Sequence, residues 1–168
     1  ATNGIYSNTA VGQNRVCHSN TISNWTTGST STSYGMYCLS ALSNQVYNNS
    51  ISGISCSGSG GLIGLYFTGT NPVVYGNTIS GLTSATTTTM YGIQCAGTAT
   101  VNLYGNKVYG LTNNNSASTS ANLLSGIHVS TNGTNTNIYN NLIGDLNAPN
   151  SISTEAIRGI SMTATTAT

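Results

Sequence analysis

One eight-residue pattern recurs five times and limits the possible folds more than any other feature of this chain. Its copies begin at residues 18, 47, 75, 104 and 139 and share the form aromatic-x-Asn-x-aliphatic-x-x-apolar. Successive copies start 29, 28, 29 and 35 residues apart. A period of about 20 to 50 residues is typical of a solenoid, in which each repeat stacks on the next.

A glycine followed by an apolar residue precedes each copy and begins a sixth. These pairs are Gly4-Ile5, Gly35-Met36, Gly64-Leu65, Gly92-Ile93, Gly126-Ile127 and Gly159-Ile160. The segments that follow alternate in their apolar character, as in Met36-Tyr37-Cys38, which favours strands over helices. We interpret the glycines as turn residues rather than a phosphate-binding loop. Each coil is predicted to hold three strands: one after the glycine, one ending at the aromatic residue, and a short one after a turn at Asn.

The asparagine of the pattern occupies the same position in all five copies: Asn20, Asn49, Asn77, Asn106 and Asn141. Asparagine tolerates left-handed backbone geometry at a tight turn and bonds its own backbone. Stacked amides also donate to one another along a column. Its recurrence in every copy favours a structural asparagine ladder over a simple turn preference.

Three columns of apolar residues are predicted to fill the core, one for each face of the coil. The first contains Ile5, Met36, Leu65, Ile93, Ile127 and Ile160; the second contains Ile22, Ile51, Ile79, Val108 and Ile143; the third contains Trp25, Ile54, Leu82, Leu111 and Leu146.

The four cysteines, Cys17, Cys38, Cys56 and Cys95, admit three interpretations: two disulfides, a metal site or free thiols. No C-x-x-C spacing supports zinc. Cys38 and Cys95 are predicted to lie two coils apart, about 9.6 Å at about 4.8 Å per strand step, too far for a disulfide. Cys17 falls in a column with Val46 and Val74. Free thiols packed as small apolar groups are therefore favoured.

Two aromatic columns are predicted to point outward, because their chain neighbours point inward. One contains His18, Tyr47, Tyr75, Tyr104 and Tyr139; the other contains Tyr6, Tyr37 and Tyr66 and continues through Gln94, His128 and Ser161. Ring stacking that covers the sheet and fixes its register is the simpler role. The alternative is a strip that binds glycans or a neighbouring protein, and the two roles are compatible.

The charge content excludes some classes of function. Only three Lys or Arg and two Asp or Glu residues occur, for a net charge of +1. No basic stripe is available for a nucleic acid, and no run of about 18 apolar residues predicts a membrane span. The abundance of Ser, Thr and Asn with so little charge favours a secreted protein, outside the cell or at its surface.

The glycine-aliphatic start combined with Tyr-x-Asn-x-Ile-x-x-Leu resembles the right-handed parallel β-helix repeat of pectin-lyase-like proteins. More narrowly, residues 138–143 and 156–160 are similar to repeats of large secreted bacterial surface proteins, many of them adhesin-like. The resemblance implies an all-β fold, a single-stranded right-handed parallel β-helix of about five coils, which we expect to form one domain over residues 1–168.

Enzymes with this fold place carboxylates or basic residues on adjacent coils, and glycoside hydrolysis needs two carboxyl groups about 5 to 9.5 Å apart. The only acids here are Asp145 and Glu155, and Glu155 is predicted to form a surface pair with Arg158. We therefore expect no catalytic site, cofactor or metal. The predicted function is a non-enzymatic structural or adhesive module; a polysaccharide-binding or polysaccharide-degrading β-helix protein is the alternative, with surface glycans as possible partners.

The two ends of the predicted coil suggest self-association. The strand at Gly159, Ile160 and Met162 takes the same place in its coil as the strand at Gly4 and Ile5. A second copy is thus expected to continue the coil head-to-tail by backbone pairing, which builds a filament. The equal alternative is a segment of a longer β-helix, in which neighbouring coils of the same chain take that place.

Overall fold

The computed structural model describes residues 1–8, 13–40, 42–85, 89–116, 123–130 and 133–163. All regular secondary structure in these ranges is β-strand, and none of it is helix. In chain order the strands are β1 (Thr2–Asn8), β2 (Arg15–His18), β3 (Thr21–Thr27), β4 (Ser33–Leu39), β5 (Asn44–Tyr47), β6 (Ser50–Cys56), β7 (Leu62–Phe67), β8 (Val73–Tyr75), β9 (Thr78–Ser84), β10 (Met90–Cys95), β11 (Thr100–Tyr104), β12 (Lys107–Asn113), β13 (Leu124–Val129), β14 (Asn135–Tyr139), β15 (Leu142–Asn147) and β16 (Ile157–Met162).

The strands form three parallel sheets, and each coil contributes one strand to each sheet. The first sheet has the order β1-β4-β7-β10-β13-β16, the second β2-β5-β8-β11-β14 and the third β3-β6-β9-β12-β15. Equivalent residues of successive coils lie side by side: Val46 pairs with Val74 in the second sheet, and Ile79 pairs with Val108 in the third. The predicted parallel β-solenoid of about five coils is confirmed.

Each strand of the third sheet carries two inward-pointing side chains that are three residues apart. Ile51 and Ile54, three residues apart on β6, are both fully buried, although strict alternation would point them to opposite faces. The residue before the second one has a left-handed φ in every coil: Asn24 at 55°, Gly53 at 62°, Gly81 at 59°, Gly110 at 66° and Asp145 at 50°. This bend returns the strand to the core, so both columns line one sheet.

The predicted assignment of one of these three apolar columns to each sheet is therefore wrong. The second and third predicted columns share the third sheet. The inner face of the second sheet is instead lined by the column of Cys17, Val46, Val74, Leu103 and Ile138.

The interpretation of the repeat glycines as turn residues is also wrong. They lie within the strands of the first sheet, and none of them has a positive φ. A Cβ added at Gly35 would lie 2.6 Å from the carbonyl oxygen of Gly64 and 2.7 Å from Cγ2 of Ile51. Glycine recurs because the first sheet approaches the aliphatic stack of the third sheet too closely for a side chain.

The four cysteines are free thiols, as predicted. Cys38, Cys56 and Cys95 are fully buried in the core, while Cys17 is half-buried at its edge. Phe67 separates Cys38 from Cys95 in the first sheet. Within the described ranges, no group of three or more His, Cys, Asp or Glu residues is close enough together to hold a metal ion.

Candidate functional site

The asparagine ladder runs along the corner between the second and third sheets. The Nδ2 atoms of Asn20, Asn49, Asn77 and Asn106 each donate to Oδ1 of the asparagine in the following coil at 2.9 Å. The backbone N–H groups of the same four residues donate to the same oxygens at 3.0 Å. The predicted ladder is confirmed.

The left-handed backbone at this corner belongs to the residue before the ladder asparagine. The positions concerned are Ser19, Asn48, Gly76, Gly105 and Asn140, with φ between 53° and 64°. The sequence had suggested that the asparagine is selected for left-handed geometry. The structure shows that it is not, because the preceding residue takes that geometry. Asparagine is selected because its short amide donates to both the following and the preceding coil and also accepts from the preceding coil.

The inner members of the ladder are sealed from solvent. Asn77 and Asn106 are fully buried and Asn49 is 2% exposed. Nδ2 of Asn77 also donates to the carbonyl oxygens of Val46 at 2.8 Å and Tyr75 at 3.1 Å. This amide makes every hydrogen bond that a side-chain amide can offer, so its role is to hold coils together rather than to bind a ligand.

The ladder has a direction, and its two ends differ chemically. Every bond from one ladder asparagine to another, whether from the side-chain amide or the backbone N–H, runs toward the following coil. Among the described residues, none donates to Oδ1 of Asn20, and none accepts from the backbone N–H of Asn141. One end of the solenoid thus offers an acceptor, and the other offers a donor.

The first aromatic column forms a continuous stack on the outer face of the second sheet. The centroid distances are 4.8 Å for His18–Tyr47, 4.8 Å for Tyr47–Tyr75, 5.2 Å for Tyr75–Tyr104 and 5.0 Å for Tyr104–Tyr139. Interplanar angles of 4° to 7° show that the rings cover one another's faces. Only ring edges and hydroxyls face outward along the stack, so a sugar ring finds an uncovered aromatic face only at its two ends.

The second aromatic column is stacked over its first three members. Centroids of Tyr6 and Tyr37 lie 5.2 Å apart, and those of Tyr37 and Tyr66 lie 4.8 Å apart. Tyr34 packs edge-on against Tyr37 and Tyr66. Burial, together with the neighbouring tyrosines, raises the pKa of Tyr66 to about 12.

Beyond Gln94, which is half-buried like Tyr66, the members of this column are buried. His128 was predicted to be an outward member but is only 6% exposed, and its ring stacks on Tyr91 at 4.3 Å. Burial lowers the pKa of His128, and the charge of Arg158 lowers it further. The outer face of the first sheet is covered here, since Ser125 and Ser161 are also buried. Register alone could not show this, because Tyr91 lies in a neighbouring column of the first sheet and contacts His128 diagonally.

The ionisable surface groups of the described residues do not cluster at one site. Nη2 of Arg158 lies 2.8 Å from Oε2 of Glu155 in an exposed ion pair, which confirms the predicted surface pair. Asp145 takes the left-handed position on β15. The described part of the chain encloses no cavity, and it contains no helix long and apolar enough to cross a membrane.

The two ends of the solenoid expose residues that are buried in every inner coil. On β16, Ile157, Ile160 and Met162 are 43%, 47% and 59% exposed. Their partners on β13, which are Leu124, Ile127 and Val129, are at most 1% exposed. At the opposite end Ile5, Cys17, Ile22 and Trp25 are only partly buried. Both ends therefore present an apolar cross-section of the core beside the unpaired edges of parallel strands.

Comparisons of the chain with protein-family models, curated proteins and solved structures gave no match. The parallel β-solenoid is thus established by the structure itself, while the resemblance to pectin-lyase-like and adhesin-like proteins stays a prediction.

Proposed function

We propose that this chain is a non-enzymatic extracellular structural module, a length of rod whose two ends stack on further β-helical coils. The proposal rests on the contrast between β16 and β13. Apolar side chains at equivalent core positions are exposed on β16, at the end of the solenoid, and buried on β13, inside it. Burying such apolar surface contributes about 25 cal/mol per Å². Exposed strand edges add unpaired backbone groups that a further strand would satisfy.

The two ends are complementary in more than apolar character. The open acceptor at Asn20 and the open donor at Asn141 have the opposite polarity that a continued ladder needs, and the outer ring faces of His18 and Tyr139 belong to the same stack. The strand that contains Gly4 and Ile5 and the strand that contains Gly159, Ile160 and Met162 carry the same column of the first sheet. These are the contacts that hold the inner coils together.

The strand count limits how a second copy can dock on the end of the solenoid. The described chain places six strands in the first sheet and five in each of the others. A second copy with its β1 against β16 leaves a gap of one strand, about 4.8 Å, in the second and third sheets. A coil that continues from β16 into the second sheet closes all three. Contact between separate copies is therefore expected to be weaker than the contact between inner coils.

The polysaccharide alternative has less support. The inner ring faces of the aromatic stack are covered, and the acids that hydrolysis requires are reduced to Asp145 and a Glu155 already paired with Arg158. A panel of neutral and acidic polysaccharides tests this point. Turnover would overturn the non-enzymatic proposal, whereas saturable binding without turnover would favour a glycan-binding module.

The stacking itself is tested by light scattering and electron microscopy of the 168-residue chain over a range of concentrations. We expect end-to-end association that rises with concentration. Ile160→Asp places a charge in the open end and should weaken it, while Ile152→Asp, at a side chain 71% exposed on a loop outside the strands, is the matched control. A dispersed chain with terminal strands protected from hydrogen exchange, or equal effects of both substitutions, would overturn the proposal.

A further inference from the structure

The outer face of the third sheet carries a grid of hydroxyl groups over its first three coils. At three outward positions on each of β3, β6 and β9, every residue is serine or threonine. All nine side chains are exposed or half-buried. The columns of this hydroxyl grid are Thr21, Ser50 and Thr78; Ser23, Ser52 and Ser80; and Thr26, Ser55 and Thr83.

The fold does not use these hydroxyls. Among the described residues, none forms a hydrogen bond with the hydroxyl of any member of the grid. The buried hydroxyls of Thr27 and Ser33, in contrast, lie 3.3 Å apart and bond to each other. A hydroxyl both donates and accepts, so each member of the grid offers the same hydrogen bonds as a water molecule. The sequences of β3, β6 and β9 contain no charged residue.

The grid is regular in two directions. Parallel strands lie about 4.8 Å apart, and alternate residues of one strand lie about 6.6 Å apart. These are the two repeats of the first and second columns. The left-handed residue, which is Asn24, Gly53 or Gly81, occupies the same position on each of the three strands. The third column therefore keeps one fixed offset from the other two.

A low twist keeps this grid flat. Neighbouring strands of an ordinary sheet rotate by about 20 to 25°, which would distort any such array. In the adjoining second sheet, however, the ring of Tyr47 lies within 4° of parallel to His18 and within 7° of parallel to Tyr75. The amide bonds of the asparagine ladder, at the corner that joins the two sheets, also repeat at 2.9 Å. Successive coils are thus related almost by translation alone.

We propose that the hydroxyl grid of the third sheet is a binding face for ice. A crystal face of ice is flat, neutral and periodic, and its molecules donate and accept hydrogen bonds as hydroxyls do. A small dissolved ligand would need a concave site, whereas the described ranges enclose no cavity. A crystalline polysaccharide also has a flat, hydroxyl-rich surface, but its sugar rings expose C–H groups that pack on aromatic rings, and the grid contains none.

The continuation of the columns beyond the grid supplies the test variants. Tyr109 on β12 takes the place that Ser80 and Ser52 have on the preceding strands, and Lys107 follows Thr78 in the same way. The sheet therefore accommodates a tyrosine in the second column and a lysine in the first. Ser52→Tyr and Thr78→Lys should leave the fold intact, while each raises a bulky side chain above the grid and separates it from a flat crystal face.

The test measures the growth of ice crystals in dilute solutions of the 168-residue chain. Nanolitre osmometry records the temperature interval over which a crystal does not grow, and annealed frozen films record recrystallisation. We expect the wild-type chain to stop crystal growth over a measurable interval and to keep annealed crystals small. Ser52→Tyr and Thr78→Lys should lose both effects. Gln45→Tyr, at an exposed position on β5 in the second sheet, is the matched control and should keep them.

Crystals that grow with the wild-type chain as they do in buffer would overturn the proposal. Inhibition that persists in both folded grid variants would also overturn it, as would a loss in Gln45→Tyr as large as theirs. Binding to microcrystalline cellulose without an effect on ice would assign the face to a polysaccharide instead. Ile160→Asp separates this proposal from end-to-end stacking, because it weakens association at the end of the rod but should leave ice binding unchanged.

Discussion

Replacement of Asn77 by alanine should be among the most damaging single changes in this protein. The side chain donates to Oδ1 of Asn106 at 2.9 Å and to the carbonyl oxygens of Val46 and Tyr75. It accepts from the backbone N–H of Asn49 at 3.0 Å and from its Nδ2 at 2.9 Å. Five hydrogen bonds of a fully buried residue are thus lost together.

The cost follows from which groups are left without a partner. Nδ2 of Asn49 keeps the carbonyl oxygen of Cys17, and Oδ1 of Asn106 keeps the backbone N–H of Asn77. The backbone N–H of Asn49 loses its acceptor, and an unsatisfied buried donor costs about 1–3 kcal/mol. With about 1 kcal/mol for each of the other weakened contacts, the free energy of unfolding should fall by roughly 3–5 kcal/mol. This corresponds to a loss of roughly 10 °C in melting temperature.

Thermal denaturation followed by circular dichroism measures the loss, and hydrogen exchange of the Asn49 amide locates it. Asn137→Ala is the matched control, because Nδ2 of Asn137 also donates to an asparagine, Oδ1 of Asn102 at 2.9 Å, but on the exposed surface. We expect less than about 1 kcal/mol there. Equal losses in the two variants, or an Asn49 amide that remains protected in Asn77→Ala, would refute the reasoning.

Three further substitutions, one of them a control, test the packing and the titration of the first sheet. Gly92→Ala brings a Cβ against Val108 and to 2.7 Å from the carbonyl oxygen of Gly126, so it should cost about 1–3 kcal/mol by overpacking, whereas Gly159→Ala, with nothing within 4 Å, should be nearly neutral in the same melting assay. The lowered pKa of His128 means that the unfolded chain binds the proton first as pH falls. Stability should be complete above about pH 6.5 and decline below it; His128→Gln should flatten that decline, and an unchanged pH dependence in this variant would contradict the assignment.

The repeat made much of the fold predictable. Because successive coils stack in parallel at one fixed register, equal positions in the pattern become neighbours in space. The pairing of Ile79 with Val108 and the hydrogen bond between Asn77 and Asn106 both follow from that correspondence. The same comparison predicted that Cys38 and Cys95 would lie two coils apart, and Phe67 does occupy the coil between them.

The errors arose where geometry depends on more than the period. The bend in the third sheet was readable in principle, since Gly53, Gly81 and Gly110, with Asn24 and Asp145, are residue types that tolerate a left-handed φ. The prediction assumed strict alternation along each strand. The bend interrupts that alternation, so the assumption led to the wrong assignment of the two columns.

Contacts between side chains of different columns could not be predicted from the sequence. The ring of His128 stacks on Tyr91, which pairs with Ser125 and not with His128 in the sheet, so this contact crosses between columns.

The direction of the asparagine ladder also limits how such rods associate. Two copies that meet through the same end by a two-fold axis would place donor against donor at Asn141, or acceptor against acceptor at Asn20. Such a contact would leave polar groups unpaired in a newly buried surface, at about 1–3 kcal/mol each. A head-to-tail arrangement instead turns the donor of one copy toward the acceptor of the next and keeps every sheet parallel, although the one-strand gap leaves Asn141 and Asn20 two strand steps apart, about 9.6 Å. Association through the ends is therefore expected to be heterologous and open, which gives a filament rather than a closed dimer.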